Sequence, residues 1–242
     1  MIDGAAARLR DQSDDDAVAV PPVAPRPRAV VPAPVAAPIP PSPPLAAPLC
    51  PRPTGLAERM SRLMDRPIAG WSLVPGDPVL DMRGFGWTAA LRADWRAIRA
   101  EAQGDAGPVL WRHGAPVDAA LAHRPATRAL IAAIAGVEEA AFVALAPGAH
   151  VPPRRGPTRA LLTCHLGLAV PRDGDVRMRV HDRIVRWAEG ETLVFDDTCE
   201  HEMWNDSGAA RIVLAIRFAR PLRQPGRWVA DRMLRWMRRA GA

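Results

Sequence analysis

A mainly β fold with flanking helices, an antiparallel sandwich or barrel, is predicted by three features of this 242-residue chain. Short apolar runs follow one another from residue 141 onward, they alternate with period two, and Pro, Gly and Asp turns separate them. Apolar residues make up 48% of the chain and charged ones 24%, which excludes a wholly disordered or fibrous molecule. Fourteen of the 27 prolines lie between Pro21 and Pro53, so the core must be built from residue 54 onward. That length is enough for one domain burying ~70% of its unfolded surface.

In chain order, residues 1–53 are expected to form a Pro/Ala-rich arm without a fold, because proline fixes φ and removes backbone donors. Residues 54–222 are expected to form the β domain, with a helical region at its start. Trp87, Leu91, Trp95 and Ile98 recur at spacings of four, four and three, one apolar stripe of a helix reaching about Ala102. A second helix is expected from Ala126 to Ala135, with Gly136 placed for a left-handed cap. Strands follow at Ala141 to Ala146, Arg159 to Val170, Val176 to Val180, Arg183 to Trp187, Glu191 to Phe195 and Ala210 to Phe218. His181 and Asp182 fit a two-residue hairpin loop between VRMRV and RIVRW. The Arg-rich segment 223–242 holds a helix from Arg227 to Arg239. Val229, Met233 and Trp236 lie on one side of it and Arg232, Arg235 and Arg239 on another. Core packing of this helix is the favoured reading, and membrane-surface contact the alternative.

All 32 basic residues are arginine, spread along the chain, so the formal charge of +6 is weak grounds for a polyanion partner and no nucleic acid is expected. Cys50, Cys164 and Cys199 are odd in number and lack CxxC spacing, which argues against a disulfide framework and fits a cytoplasmic, reducing location. The first twenty residues carry Asp14, Asp15 and Asp16 where a secretory signal needs an apolar run. The apolar stretch from Ala129 to Gly148 is interrupted by Glu138 and Glu139 and is not expected to span a bilayer.

Among six histidines, His201 has the most informative company, in ETLVFDDTCEHEMW just past a strand end. Neutral imidazole binds Fe(II) or Zn(II), and nearby carboxylates can orient its other nitrogen, so His201 is the candidate metal ligand. His165 shares a strand face with Thr163 in LLTCHLGL. Arg211 opens the strand RIVLAIRF and faces the same way as Val213 and Ala215. An arginine among apolar residues suits a small dicarboxylate, because its planar fork binds a carboxylate through two hydrogen bonds.

The runs PGAHVPPRRGPT (147–158), HLGLAVP (165–171), RWAEGETLVFDDTCEHEMWND (186–206) and RIVL (211–214) resemble, in order, those of the aspartyl/asparaginyl β-hydroxylase family of Fe(II)- and 2-oxoglutarate-dependent dioxygenases. GWTAALRADWRAIRAE (86–101) and the segment 125–148 are also similar to that family. The resemblance implies a double-stranded β-helix, a jelly-roll or cupin-like core. It implies iron held by two histidines without a carboxylate, the second matching His201, and 2-oxoglutarate held by His165 and Arg211. The implied activity is hydroxylation of an amino-acid side chain in a peptide or protein, and related members hydroxylate lipid acyl chains.

Two positions depart from the family pattern. Its first iron histidine belongs to a PHxG motif, whereas this chain reads Pro153-Arg154-Arg155-Gly156, and a guanidinium has no free lone pair for a metal. Its LRxHLGL strand carries an arginine where Thr163 stands here. His150, four residues before Arg154, lies ~13 Å away along a strand and is not expected to replace the missing ligand. Asp197 or Glu200 turned inward would be a substitute. The rival reading is a catalytically degenerate homologue that keeps the fold as a binding or scaffold module, with Arg154 standing in for the metal's charge.

Overall fold

The computed structural model describes residues 56–102 and 107–240. The arm expected over residues 1–53, with Cys50, lies outside the described residues. The β domain is framed by helices α1 (Leu56–Gly70), α2 (Thr88–Ala93), α3 (Trp95–Ala102), α4 (Asp118–Leu121), α5 (Pro125–Ala132) and α6 (Gly226–Ala240). Its strands are β1 (Val79–Leu80), β2 (Val109–Arg112), β3 (Ala115–Pro116), β4 (Val137–Leu145), β5 (His150–Arg154), β6 (Leu161–Ala169), β7 (Asp175–Val180), β8 (Arg183–Arg186), β9 (Thr192–Phe195), β10 (His201–Asp206) and β11 (Arg211–Ala219).

Two antiparallel sheets face each other. One runs β1-β9-β6-β11-β4-β2-β3, the other β5-β10-β7-β8. From β4 to β11 the chain passes back and forth between the sheets, so each sheet takes four of these eight strands in a Greek-key order. This is the double-stranded β-helix, a jelly-roll core.

The sequence patterns follow from what each face meets. The larger sheet is covered twice. On its outer side Leu91, Ile98 and Ile131 of the helices pack with Leu162, Leu166, Leu214 and Ile216, and on its inner side Val213, Ala215 and Phe195 meet the other sheet. Strands β6 and β11 therefore read as nearly unbroken apolar runs. The smaller sheet has one wet face, so β7 and β10 alternate, with Val176, Met178, Val180, His201 and Met203 inward.

Several boundaries differ from expectation. The helix expected from Gly86 to Ala102 is two helices that meet at Asp94, whose carbonyl accepts from the amides of Ala97 and Ile98 at 3.0 and 3.2 Å. The stripe survives the break, with Leu91 and Ile98 buried. Strand β4 starts at Val137 rather than Ala141, because Arg238 and Arg217 pair with Glu138 and Glu139 and make those carboxylates tolerable inside. Gly136 adopts φ +71°, and a Cβ there would lie 2.8 Å from that of Ala219, so the turn into β4 needs glycine. His181, at φ 55°, closes the expected β7–β8 hairpin, in which Val180 pairs with Arg183.

Helix α6 packs on α1, Leu222 and the start of β6 through Ala230, Met233 and Leu234. Trp236, expected on the packed side with Val229 and Met233, is instead 40% exposed. Helix α1 and the strands β5 and β10 are elements that the sequence patterns do not announce. β5 is an edge strand, where Pro152 and Pro153 cost no ladder donor to an inner neighbour.

Candidate functional site

The candidate residues converge between the sheets. Thr163 and His165 point inward from β6, Arg211 and Arg217 from β11, and His201 from β10. Register fixes the neighbours: His165 lies opposite Ala215, Thr163 opposite Arg217, and Arg154 opposite His201. Two aromatic rings tie the groups together. Phe195 meets His165 at 5.0 Å and His201 at 5.7 Å between ring centroids. Trp187 stacks on His165 at 6.1 Å and carries the Arg211 guanidinium over its own face at 4.3 Å.

Arg211 is 1% exposed, and its Nε and Nη1 have no hydrogen-bond partner. Its Nη2 reaches only the thioether of Met203, at 3.8 Å. Burial, and then the charge of Arg154, push its pKa down to about 9. A buried cation with only a ring face and a sulfur is costly, and an anion would relieve it. Beside it, Nδ1 of His165 accepts from Nε1–H of Trp187 at 3.3 Å. Burial, the positive charge of Arg211 and those around it hold His165 neutral, well below the usual histidine range. With Nδ1 accepting, the ring proton sits on Nε2, a second donor. Arg211 and His165 therefore offer a carboxylate-binding donor set.

The metal half is built differently. Nδ1 of His201 lies 3.1 Å from the Cys199 carbonyl, which can only accept, so Nδ1 carries the proton. The lone pair on Nε2, the one a metal needs, accepts instead from Nε–H of Arg154 at 3.4 Å. Burial pushes the His201 pKa down as well. Arg154 is thus no solvated loop arginine: its side chain points inward, onto the candidate ligand.

Of the three substitutes considered for the missing ligand, His150 and Glu200 are engaged elsewhere, and Asp197 is engaged through Oδ2 while its buried Oδ1 has no hydrogen-bond partner. His150 stacks on Trp204 at 5.1 Å and approaches Glu202 at 3.4 Å, on the outer face of β10. Glu200 faces Arg179 at 3.2 Å. Asp197 is buried, but its Oδ2 accepts from Thr163 Oγ1 at 3.0 Å and from Nε and Nη2 of Arg217 at 3.1 and 2.9 Å. Gly156 gives the loop its close fit here. Its amide donates to the Asp197 carbonyl at 2.6 Å, and a Cβ would strike the carboxylate at 2.1 Å. Among the described residues no group of three or more His, Cys, Asp and Glu could hold a metal ion. With Arg154 in place of the first histidine and its Nε–H on Nε2 of His201, the residues present fit a dicarboxylate and do not fit a two-histidine iron centre.

Sequence reasoning missed Arg217 and Trp187. Arg217 brings a guanidinium from β11 to the spot opposite Thr163, where the family arginine is lost, and also binds Glu139 at 3.0 Å. The signal was an arginine in an otherwise apolar strand, an even number of residues after Arg211 and so on the same face. Trp187 lies just past β8 and is 6% exposed, and nothing in its sequence context marks it.

The family profile described as aspartyl/asparaginyl beta-hydroxylase matches residues 93–221, more than half of the chain. The ornithine lipid ester-linked acyl 2-hydroxylase of Rhizobium tropici is 33% identical over 183 residues, covering 63% of this chain and 64% of that protein. The aspartyl/asparaginyl beta-hydroxylase of Mus musculus is 33% identical over 112 residues, covering 44% of this chain and 15% of that protein. That of Homo sapiens is 41% identical over 70 residues, covering 29% and 9%. The chain spans less than two thirds of the length of each of these relatives. With the profile spanning β4 to β11 and every candidate residue inside it, this chain belongs to the aspartyl/asparaginyl beta-hydroxylase family.

Proposed function

We propose that this chain binds a small dicarboxylate of the 2-oxoglutarate kind between its two sheets without iron, as a catalytically degenerate member that serves as a binding or scaffold module. The observation that carries the proposal is Arg211, a fully buried guanidinium with two unpartnered nitrogens beside the Nε2–H donor of His165. A carboxylate on Arg211 would gain two charge-assisted hydrogen bonds and remove the cost of an unpaired buried cation. Arg154, lying on His201 where the family has a histidine, supplies positive charge without redox chemistry.

A second reading is favoured by the retention of His201, His165 and Arg211 together: a 2-oxoglutarate-dependent hydroxylase whose metal site is completed by a group other than position 154. Its substrate would be an amino-acid side chain of a peptide or protein, as the names of the mouse and human relatives suggest, or a lipid acyl chain, as that of the Rhizobium tropici relative does.

Isothermal titration with 2-oxoglutarate, with and without Fe(II), separates the two. The proposal expects stoichiometric dicarboxylate binding indifferent to Fe(II), no tight Fe(II) binding and no succinate release. It also expects Arg154→His to gain Fe(II) affinity, because that change frees Nε2 of His201 and adds a second imidazole opposite it. Tight Fe(II) binding with succinate release by the unaltered chain would establish the hydroxylase instead.

A further inference from the structure

Helix α6 buries one face and leaves the opposite one without a protein partner among the described residues. Ala230, Met233 and Leu234 are buried against α1 and Leu222. On the other side the 3.6-residue period brings Trp228, Arg232, Arg235 and Arg239 into one row, with Val229 and Trp236 along its flank. Trp228 is 59% exposed and Trp236 40%. The two indoles stand eight residues, about 12 Å, apart along the axis. The Arg232 guanidinium lies over the Trp228 ring at 5.6 Å. Asp231 is the one acidic residue of the helix, and Arg238, outside the row, is paired with Glu138.

We infer that this row docks on an anionic lipid surface. Tryptophan prefers the level of the lipid headgroups, where its ring is apolar and its N–H is wet, and arginines alongside meet the phosphates of an anionic leaflet. Because the buried face holds α6 on the body of the protein, its axis lies along that body, and the row can settle only a few ångströms deep, as an interfacial helix does. No helix among the described residues is long and apolar enough to cross a membrane, so contact through α6 would be lateral. Charge complementarity selects the occupant: three arginines without an acid in the row match an anionic leaflet, and the interleaved indoles add the apolar insertion that a polyanion in water does not reward. The inference is independent of what the inter-sheet pocket binds.

The test is flotation of the full chain with vesicles of phosphatidylglycerol and phosphatidylcholine in equal parts, against vesicles of phosphatidylcholine alone, with tryptophan emission followed in parallel. The expected result is binding to the anionic vesicles only, with a blue shift of the emission. Replacing Arg232, Arg235 and Arg239 by Gln is expected to weaken binding about a hundredfold, at roughly a fivefold loss per arginine. Trp228→Ala with Trp236→Ala is expected to abolish the blue shift and weaken binding severalfold or more. Both variants change exposed side chains, so an unaltered thermal melt and unaltered far-ultraviolet circular dichroism certify that the fold is intact. Equal binding to both vesicle types, no binding to either, or binding that survives both sets of substitutions would overturn the inference. So would tighter binding to duplex or single-stranded nucleic acid that the same substitutions remove.

Discussion

Arg211 and Arg154 both bring a guanidinium into the space between the sheets, yet one is left open and the other is used up. Arg211, on β11, is buried with Nε and Nη1 unpartnered and only a ring face and a thioether for company. Arg154, on the edge strand β5, gives its Nε–H to His201, whose other nitrogen is already committed to the Cys199 carbonyl. The dicarboxylate half of the pocket keeps donors facing inward, whereas the metal half satisfies itself. Because the halves rest on different sheets, one substitution on β5 could close the second without disturbing the first. The donors on β6 and β11 and the histidine on β10 can therefore change independently in this fold.

The most severe way to break the arrangement lies between the two halves, at Arg217. It ties Asp197 to Glu139, and both carboxylates are only 2% exposed. Arg217→Met would take the guanidinium from two buried carboxylates, at a cost of about 3–5 kcal/mol of folding stability, because the lost cation leaves desolvated negative charge behind. Urea unfolding measures it, and a loss below about 1 kcal/mol would mean that Asp197 and Glu139 are solvated in solution.

Arg211→Met sharpens the contrast, because stability and binding should move apart. Removing an unpartnered buried cation in favour of an apolar side chain of similar length is expected to leave the melting temperature of the ligand-free protein unchanged or raised. Dicarboxylate affinity is expected to fall by about 2–5 kcal/mol, because the carboxylate loses its fork. A matching loss of stability would mean that Arg211 is structural rather than a ligand group.

The two histidines respond to pH in the same direction although they belong to different halves. Burial leads both pKa values down from the ordinary 6.5. In the unfolded chain they bind protons near that pH, and in the folded chain they do so only at lower pH. Below pH 6.5 the unfolded state therefore holds more protons, and stability declines by up to about 1.4 kcal/mol per pH unit for each histidine, while above it their contribution is constant. Urea titrations at successive pH values read this slope, and replacing His165 by Gln should remove one proton's share. A flat profile between pH 5 and 7 would mean that neither ring is desolvated in solution.

Much of the barrel could be read from the residues, and the reason is packing. β6 and β11 are covered on both faces and read as apolar runs, β7 alternates because one face is wet, and β8 was marked by its hairpin with β7. β5 and β10 escaped. β5 carries two prolines that only an edge position permits, and β10 reads as a histidine among acids, because only its pairing with β7 decides which side chains face out. His165 and Arg211 were legible as chemistry because local strand parity set their direction, and His201 because it stands among carboxylates just past the end of β9. Arg217 shares the parity of Arg211, but its partners depend on register across strands, and Trp187 sits in a loop after β8 that no short window of sequence places.

Trp187 offers the finest test of the comparison, because it serves only the open half. Its Nε1–H donates to His165 and thereby holds the imidazole proton on Nε2, and its ring face is the closest company of Arg211. Trp187→Phe keeps an aromatic face under the guanidinium but removes the donor, so His165 is free to adopt either tautomer. A share of its population would then present a lone pair, not a proton, to the ligand. The expected outcome is a loss of dicarboxylate affinity of about 1 kcal/mol, on the scale of one neutral hydrogen bond. Fe(II) affinity in the Arg154→His background should be unchanged, since Trp187 does not touch His201. Proton-coupled nitrogen shifts of His165 in NMR spectra would register the tautomer directly. If the Phe variant kept Nε2 protonated and bound the dicarboxylate as before, the orientation of His165 would have to come from the strand alone, and the open half would owe nothing to the ring beside it.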